Sequence, residues 1–244
     1  MSIGSRKNDH IEKIQIILQL IIKLSTLVLF KLLFRLQVVG EKEAAAELKA
    51  VHANEKGLLF APNHVSEWDG VMVQTMLPFH TIFSPMYFVA MTKDHYQYEK
   101  FGWRKYLYGG TFFKMLGAYP AYLGMRDYHA SLVNHIELLE YGKSVCIFPE
   151  GKISVNTLKP SEPKGGIGFL AEYTMTDIIP VKLSGFERID WFKVFTFRRP
   201  LVSIIYKPIV RIADVLEKAK TQGVEAGAPT SKFISAYVMD KVRN

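Results

Sequence analysis

Cysteine is nearly absent from this chain. One residue, Cys146, stands among 244. That excludes an intramolecular disulfide and a thiolate metal cluster. The histidines, His10, His52, His64, His80, His95, His129 and His135, show no His-Glu-x-x-His or related ligand spacing. No metal site is therefore expected. No Gly-x-Gly-x-x-Gly and no Walker loop occurs, so nucleotide-dependent chemistry has no support. No Gly-x-Ser-x-Gly is present, and Cys146 lies inside the apolar run Ser144-Val145-Cys146-Ile147-Phe148. The chain thus lacks a recognisable nucleophile of its own. Acidic residues are missing altogether from residues 13–39. Internal repeats and low-complexity tracts are also missing.

What is present bounds the answer further. Nearly half of the residues, 49%, are hydrophobic, enough for a sizeable core in one domain with a short appendage. A formal charge of +8 favours anionic partners such as a membrane surface, coenzyme A, an acyl carrier protein or nucleic acid. Nucleic acid is the weakest of these, because the basic residues are spread along an apolar chain instead of forming a reader motif.

The most informative stretch is Asn63-His64-Val65-Ser66-Glu67-Trp68-Asp69, just after the apolar run Gly57-Leu58-Leu59-Phe60-Ala61. Histidine is the side chain best suited to take a proton near neutral pH. A nearby carboxylate fixes its tautomer and stabilises the imidazolium. A His64–Asp69 pair without a protein nucleophile implies that the substrate supplies the attacking group, for example a hydroxyl. Pro62 ends the first strand, because it cannot donate to a ladder. His64 then falls on a turn and Asp69 near a helix start. At about 100° per residue, a helix would point the two side chains apart, so part of 65–68 must be non-helical. The alternative is a surface histidine near a helix N-terminus, with Asp69 favoured by the helix dipole.

Downstream, Phe148-Pro149-Glu150-Gly151 follows a second strand candidate. Pro149 and Gly151 are strand-ending residues, which leaves Glu150 at a carboxyl end. Ligands of open α/β sheets bind outside such ends.

These residues resemble the lysophospholipid acyltransferases, the glycerolipid family that includes 1-acylglycerol-3-phosphate acyltransferase. The resemblance runs from about Gly57 to Pro208. Its blocks are Asn63-His64 through Asp69-Gly70, Gly117-Ala118-Tyr119-Pro120 through Arg126, Phe148-Pro149-Glu150-Gly151 with Lys164-Gly165-Gly166, and Ile178-Ile179-Pro180-Val181. The second block departs from the family pattern, in which an arginine follows the strand more closely than Arg126 does. The third departs too: Lys152 and Ile153 replace the usual threonine and arginine.

The resemblance implies direct acyl transfer from a thioester to an alcohol, with no acyl-enzyme. His64 is then the general base and Asp69 its partner. Asn63, Arg126, Pro149, Glu150, Gly151 and Lys164 are the expected substrate-binding residues. Arg126 suits phosphate by its forked geometry and Lys164 by its point charge. The expected acceptor is lysophosphatidate, giving phosphatidate. Glycerol 3-phosphate, another lysophospholipid or a glycolipid keeps the same chemistry, and a non-catalytic basic membrane-binding protein is the different class. No cofactor is expected beyond the co-substrate, acyl-coenzyme A or acyl carrier protein.

Residues 13–39 carry Lys13, Lys23, Lys31 and Arg35 among Ile, Leu, Val and Phe. Gln15, Gln19 and Lys23 recur every four residues, a stripe that drifts around a straight helix. A break at Ser25-Thr26, giving two amphipathic helices on the membrane surface, accommodates the drift. A spanning helix and a core-packing helix pair are the competing readings. Two further stretches, residues 101–115 and 191–199, mix aromatic and basic residues and suit either a headgroup layer or an ordinary core. The expected organisation is residues 1–40 as membrane-associating helices and 41–244 as the acyltransferase domain, on the cytoplasmic face of a phospholipid membrane. Strand candidates at 57–61, 86–91, 118–123, 144–148, 178–183 and 201–206 alternate with helical patterns at 69–77, 127–141 and 165–174. Helices are also expected at 41–53, 212–220 and 230–242. The expected fold is α/β, a mixed, mainly parallel sheet flanked by helices.

Overall fold

The structure is a computed structural model and describes residues 8–78, 85–94, 102, 110–122, 127–153, 161–187, 189 and 191–244. Along them run α1 (Asn8–Leu33), β1 (Arg35–Val39), α2 (Glu41–Ala53), β2 (Leu58–Pro62), α3 (Asp69–Thr75), β3 (Met86–Met91), α4 (Gly110–Met115), β4 (Ala118–Ala121), α5 (Tyr128–Ser131), α6 (Val133–Glu140), β5 (Ser144–Cys146), α7 (Gly166–Thr174), β6 (Ile178–Ser184), α8 (Trp191–Phe195), β7 (Leu201–Tyr206), α9 (Ile212–Thr221) and α10 (Ala228–Arg243).

The strands form one sheet in the order β1-β7-β6-β2-β5-β3-β4. Every pairing is parallel except β6 with β7. The sheet is mixed and mainly parallel, as the short apolar runs between helical patterns lead one to expect. β2 stands at its centre and is buried along its whole length, the usual condition of a strand covered on both faces. Its side chains alternate between two cores. Leu58 and Phe60 join α1, α2 and α3 on one face, through Phe30, Leu48 and Met72. Leu59 and Ala61 join α6, α7 and α10 on the other, through Ile136, Ile167 and Ile234.

Three expectations are corrected. Residues 35–39 belong to the sheet, not to the N-terminal helical segment. β1 pairs in register with β7, Arg35 opposite Leu201 through Val39 opposite Ile205, and its burial alternates with period two. The division placed at residue 40 therefore falls inside the folded unit. The expected break at Ser25-Thr26 does not occur, and α1 is continuous. Ser25 stays helical by returning its hydroxyl to the carbonyls of Ile21 and Ile22. The inward stripe keeps to one face by shortening a step: Gln15, Gln19, Lys23, Thr26 and Phe30 are all buried, an average spacing close to about 3.6 residues. Lastly, the helix expected over 127–141 divides at Leu132 into α5 and α6. The Ser131 carbonyl accepts from the Tyr122 N–H at 3.0 Å and leaves the helical ladder.

α1 is inverted relative to an ordinary surface helix. Its amides and ammonium face the protein. Gln19 receives the Met86 N–H at 3.1 Å and donates to the carbonyls of Met86 (2.8 Å) and Leu116 (3.0 Å). Gln15 donates to the Lys114 carbonyl, and Lys23 to those of Leu77 and Pro78. Burial pulls the Lys23 ammonium down to about 8. Ile14, Ile17, Ile21, Leu24, Val28, Leu29 and Leu32 are exposed on the outer side.

Candidate active site

The connections leaving β2 and β5 run past each other over opposite faces of the sheet. The chain after β2 crosses through α3 to β3 on one side, whereas that after β5 crosses through α7 to β6 on the other. α3 packs on one face of the sheet and α7 on the opposite face. The carboxyl ends of β2 and β5 are adjacent, and the crevice outside such ends is the usual ligand position in open α/β sheets. Both sequence blocks end there.

After Pro62, residues 63–68 are non-helical and α3 begins at Asp69. That turn closes the distance that a helix would have opened: His64 Nδ1 lies 2.9 Å from Asp69 Oδ2. Asp69 is fully buried, while the His64 side chain keeps 21% of its surface exposed. The buried carboxylate is satisfied by more than the imidazole. The N–H groups of Val65 (2.6 Å) and Ser66 (2.8 Å) donate to Oδ2, and the Ser66 hydroxyl donates to Oδ1. The acid thus reaches back to the N–H of the serine three residues earlier, while the Ser66 hydroxyl accepts the Trp68 N–H at 3.2 Å, which closes the turn ahead of α3. The two roles of Asp69 share one geometry: it starts α3 and holds the ring. With Nδ1–H directed at Asp69, Nε2 is the remaining nitrogen, and it has no hydrogen-bond partner among the described residues. The ring also stacks on Phe148, with centroids 4.1 Å apart, so both ends of the crevice fix its plane.

Glu150 is 4% exposed, and its Oε2 accepts the His64 N–H at 3.4 Å. Burial pushes its carboxyl up, opposed by that backbone donor and by the positive charge of Arg243. Pro149 is buried in the turn before it. Gly151 adopts φ +64°, a left-handed turn position suited to glycine, and its N–H returns to the Phe148 carbonyl at 3.0 Å. Lys164 is brought to the same turn. Its N–H bonds the Pro149 carbonyl at 2.8 Å, and a Cβ on Gly151 would fall 3.1 Å from its Nζ.

Asn63 is placed differently from expectation. Its carboxamide is committed to the β6 backbone, accepting the Leu183 N–H at 2.7 Å and donating to the Leu183 carbonyl at 2.9 Å. It extends the β2–β6 ladder by one side chain, which leaves one carboxamide N–H beyond these two bonds. Arg126 lies outside the described residues. Cys146 is buried, and burial together with the Asp69 charge pushes its thiol up, which disfavours the reactive thiolate. Two contributors, Ser66 and Phe148, were not named from sequence. Phe148 carried no local signal, because its role depends on β5 lying beside β2.

A family model described as acyltransferase matches residues 35–184, from the first strand through β6. Among solved structures, the chain is similar to the 1-acyl-sn-glycerophosphate (LPA) acyltransferase PlsC from Thermotoga maritima. The TM-score is 0.54 at 16% identity, over 96% of this chain and 76% of that one. At that identity the likeness is one of fold.

Proposed function

Because the chain belongs to the acyltransferase family, we propose that it moves a fatty acyl group from a thioester to the free hydroxyl of lysophosphatidate, giving phosphatidate at a membrane surface. The observation that carries this reading is the His64–Asp69 pair at 2.9 Å, its second ring nitrogen unpaired among the described residues, at the carboxyl end of the central strand. The donor thioester is acyl-coenzyme A or an acyl-acyl carrier protein.

The acceptor hydroxyl gives its proton to His64 Nε2 as its oxygen attacks the thioester carbonyl. Such a base contributes about 10²–10⁴-fold. Asp69 holds the ring and stabilises the imidazolium. Collapse of the tetrahedral intermediate breaks the carbon–sulfur bond, and the departing thiolate takes the proton from His64. The enzyme returns unchanged, with no acyl-enzyme required. Glu150 fixes the backbone of the catalytic turn through the His64 N–H. Lys164, beside Gly151, supplies positive charge for the acceptor phosphate.

α1 supports the membrane half of the reading. His10–Leu33 is long and apolar enough to cross a bilayer, yet its polar stripe is bonded to the folded domain along its length. A helix held that way lies along the surface, with its exposed Ile, Leu and Val face in the acyl region. On this reading the protein is monotopic, on the cytoplasmic face.

The test is mass-spectrometric detection of product from wild type and His64→Ala, each given lysophosphatidate, glycerol 3-phosphate or another lysophospholipid with either donor in detergent. Phosphatidate from wild type, with at least about a hundredfold loss in the variant, is expected. A folded His64→Ala protein as active as wild type would remove the mechanism. Product from another acceptor alone would keep the chemistry and replace the substrate.

A further inference from the structure

We infer that α8, with the turn that follows it, is a second membrane-docking element, which contacts an anionic bilayer beside α1. The inference rests on the membrane reading above. α8 has one buried residue, Val194. Trp191, Phe192, Phe195 and Phe197 are 54%, 66%, 76% and 63% exposed. Four large rings outside the core give little to folding, and an apolar patch of that kind marks an interaction surface. Phe197 is held at φ 53°, a conformation that disfavours a bulky residue. It keeps that backbone with its ring in solvent, so the ring's packing does not explain it.

The segment that carries the patch is joined to the C-terminal end of α1. Arg199 donates to the carbonyls of Lys31 (2.7 Å) and Phe34 (3.0 Å), fastening the segment to the last turn of α1. Exposed Val28, Leu29 and Leu32 occupy the same end. Charge identifies the occupant. No acidic residue occurs from Trp191 to Arg211 or over residues 13–39. Lys31, Arg35, Lys193 and Arg198 are exposed in or next to these two segments, and the Arg198 guanidinium lies 5.6 Å from the Phe192 ring centre. Aromatic rings with a cationic margin match the headgroup layer of an anionic membrane. Apolar surface along the length of α1 and again on α8 suits a bilayer better than the bounded groove of a protein partner.

The position has a consequence for the site. The Phe30 ring of α1 meets Trp68 at 6.1 Å and Phe186, ahead of α8, at 6.2 Å. Trp68 lies within the His64–Asp69 turn and is 46% exposed. α1 therefore flanks the catalytic turn, and a second membrane contact at α8 fixes the tilt that a single helix leaves free. An acceptor lipid then reaches His64 from the bilayer without crossing water.

The experiment is flotation with vesicles of phosphatidylcholine, with and without phosphatidylglycerol. It compares wild type, Phe192→Ser/Phe195→Ser, and Val28→Ser/Leu32→Ser. The α8 pair is expected to lose about tenfold or more in partition to anionic vesicles, with activity on detergent-dispersed substrate unchanged. A second measurement keeps α8 intact: in a chain carrying Trp68→Phe and Trp103→Phe, brominated phospholipid should quench Trp191. Wild-type partition by the α8 variant, or an unquenched Trp191, overturns the inference. If the α1 variant alone loses binding, the membrane reading survives without α8. Wild type that ignores vesicles yet turns over in detergent removes both membrane statements and leaves acyl transfer. Loss of a wild-type dimer on the α8 substitutions, with vesicle binding retained, would assign the patch to a second copy.

Discussion

α1 and α10 are the long helices among the described residues, and they solve burial in opposite ways. α10 turns Ile234, Val238, Met239 and Val242 inward and leaves Lys232, Asp240 and Lys241 in solvent. α1 turns Gln15, Gln19, Lys23 and Thr26 inward and leaves Ile14, Ile17, Ile21 and Val28 outside. The difference lies in what each helix covers. α10 packs on α7 so closely that Ser231 occupies the space of a Gly168 side chain. α1 covers the start of β3 and the ends of α3 and α4, where backbone groups of Met86, Leu77 and Leu116 need partners. Amides and an ammonium satisfy them, and buried backbone groups are rarely left unpaired. The outer apolar face of α1 then requires a different solvent from that of α10.

The largest expected effect lies on the α10 side. A Cβ on Gly168 would stand 1.9 Å from the Ser231 carbonyl oxygen, whereas one on Gly166 meets nothing closer than 3.7 Å. Gly168→Ala should lower stability by about 3 kcal/mol, with Gly166→Ala close to neutral. Denaturant midpoints of the two variants measure the contrast, and equal midpoints would contradict the close packing.

Next in size is Gln19→Leu. It strips partners from the N–H and carbonyl of Met86 and from the Leu116 carbonyl, at about 2 kcal/mol. Ile21→Gln on the outer side should stay within about 0.5 kcal/mol. If the leucine variant melts higher than wild type, the inverted orientation of α1 is wrong.

The remaining effect is a pH dependence. The Lys23 ammonium is held down to about 8 in the folded chain, against an ordinary value of 10.5. Below about 8 the folded and unfolded chains both hold the proton, and the full penalty of burying the charge is present. Between about 8 and 10.5 the unfolded chain keeps a proton that the folded chain releases, so stability rises with pH. Lys23→Met should flatten that rise in melts taken at pH 7.5, 9 and 10.5. An unchanged slope would place its origin elsewhere.

Much of the sheet was legible because each strand is a short apolar run ended by a turn residue. β2 is the clearest case, closing on Pro62 as its missing N–H requires. β1 was missed although Arg35-Leu36-Gln37-Val38-Val39 alternates in burial, because the long helical pattern before it masked the change of period. At the site, the need for a non-helical turn between His64 and Asp69 followed from helix geometry alone. Asn63 was read as facing the substrate. Its bonds to Leu183 span 120 positions, and no local pattern encodes them. The same holds for Phe148 beneath the imidazole and for Glu150 on the His64 N–H, 86 positions away.

The sequence alone determined the kinds of groups available: a histidine and an acid at turn spacing, a second acid after a strand, and a long helix with a polar stripe. These follow from local rules of period and strand termination. Tertiary structure decided how they meet. Placing β5 beside β2 brought Phe148 and Glu150 onto the His64 turn, and the unpaired backbone at β3, α3 and α4 decided which face of α1 points inward. Amphipathicity is symmetric in that respect. Only the groups opposite a helix determine whether its polar or its apolar face is the buried one.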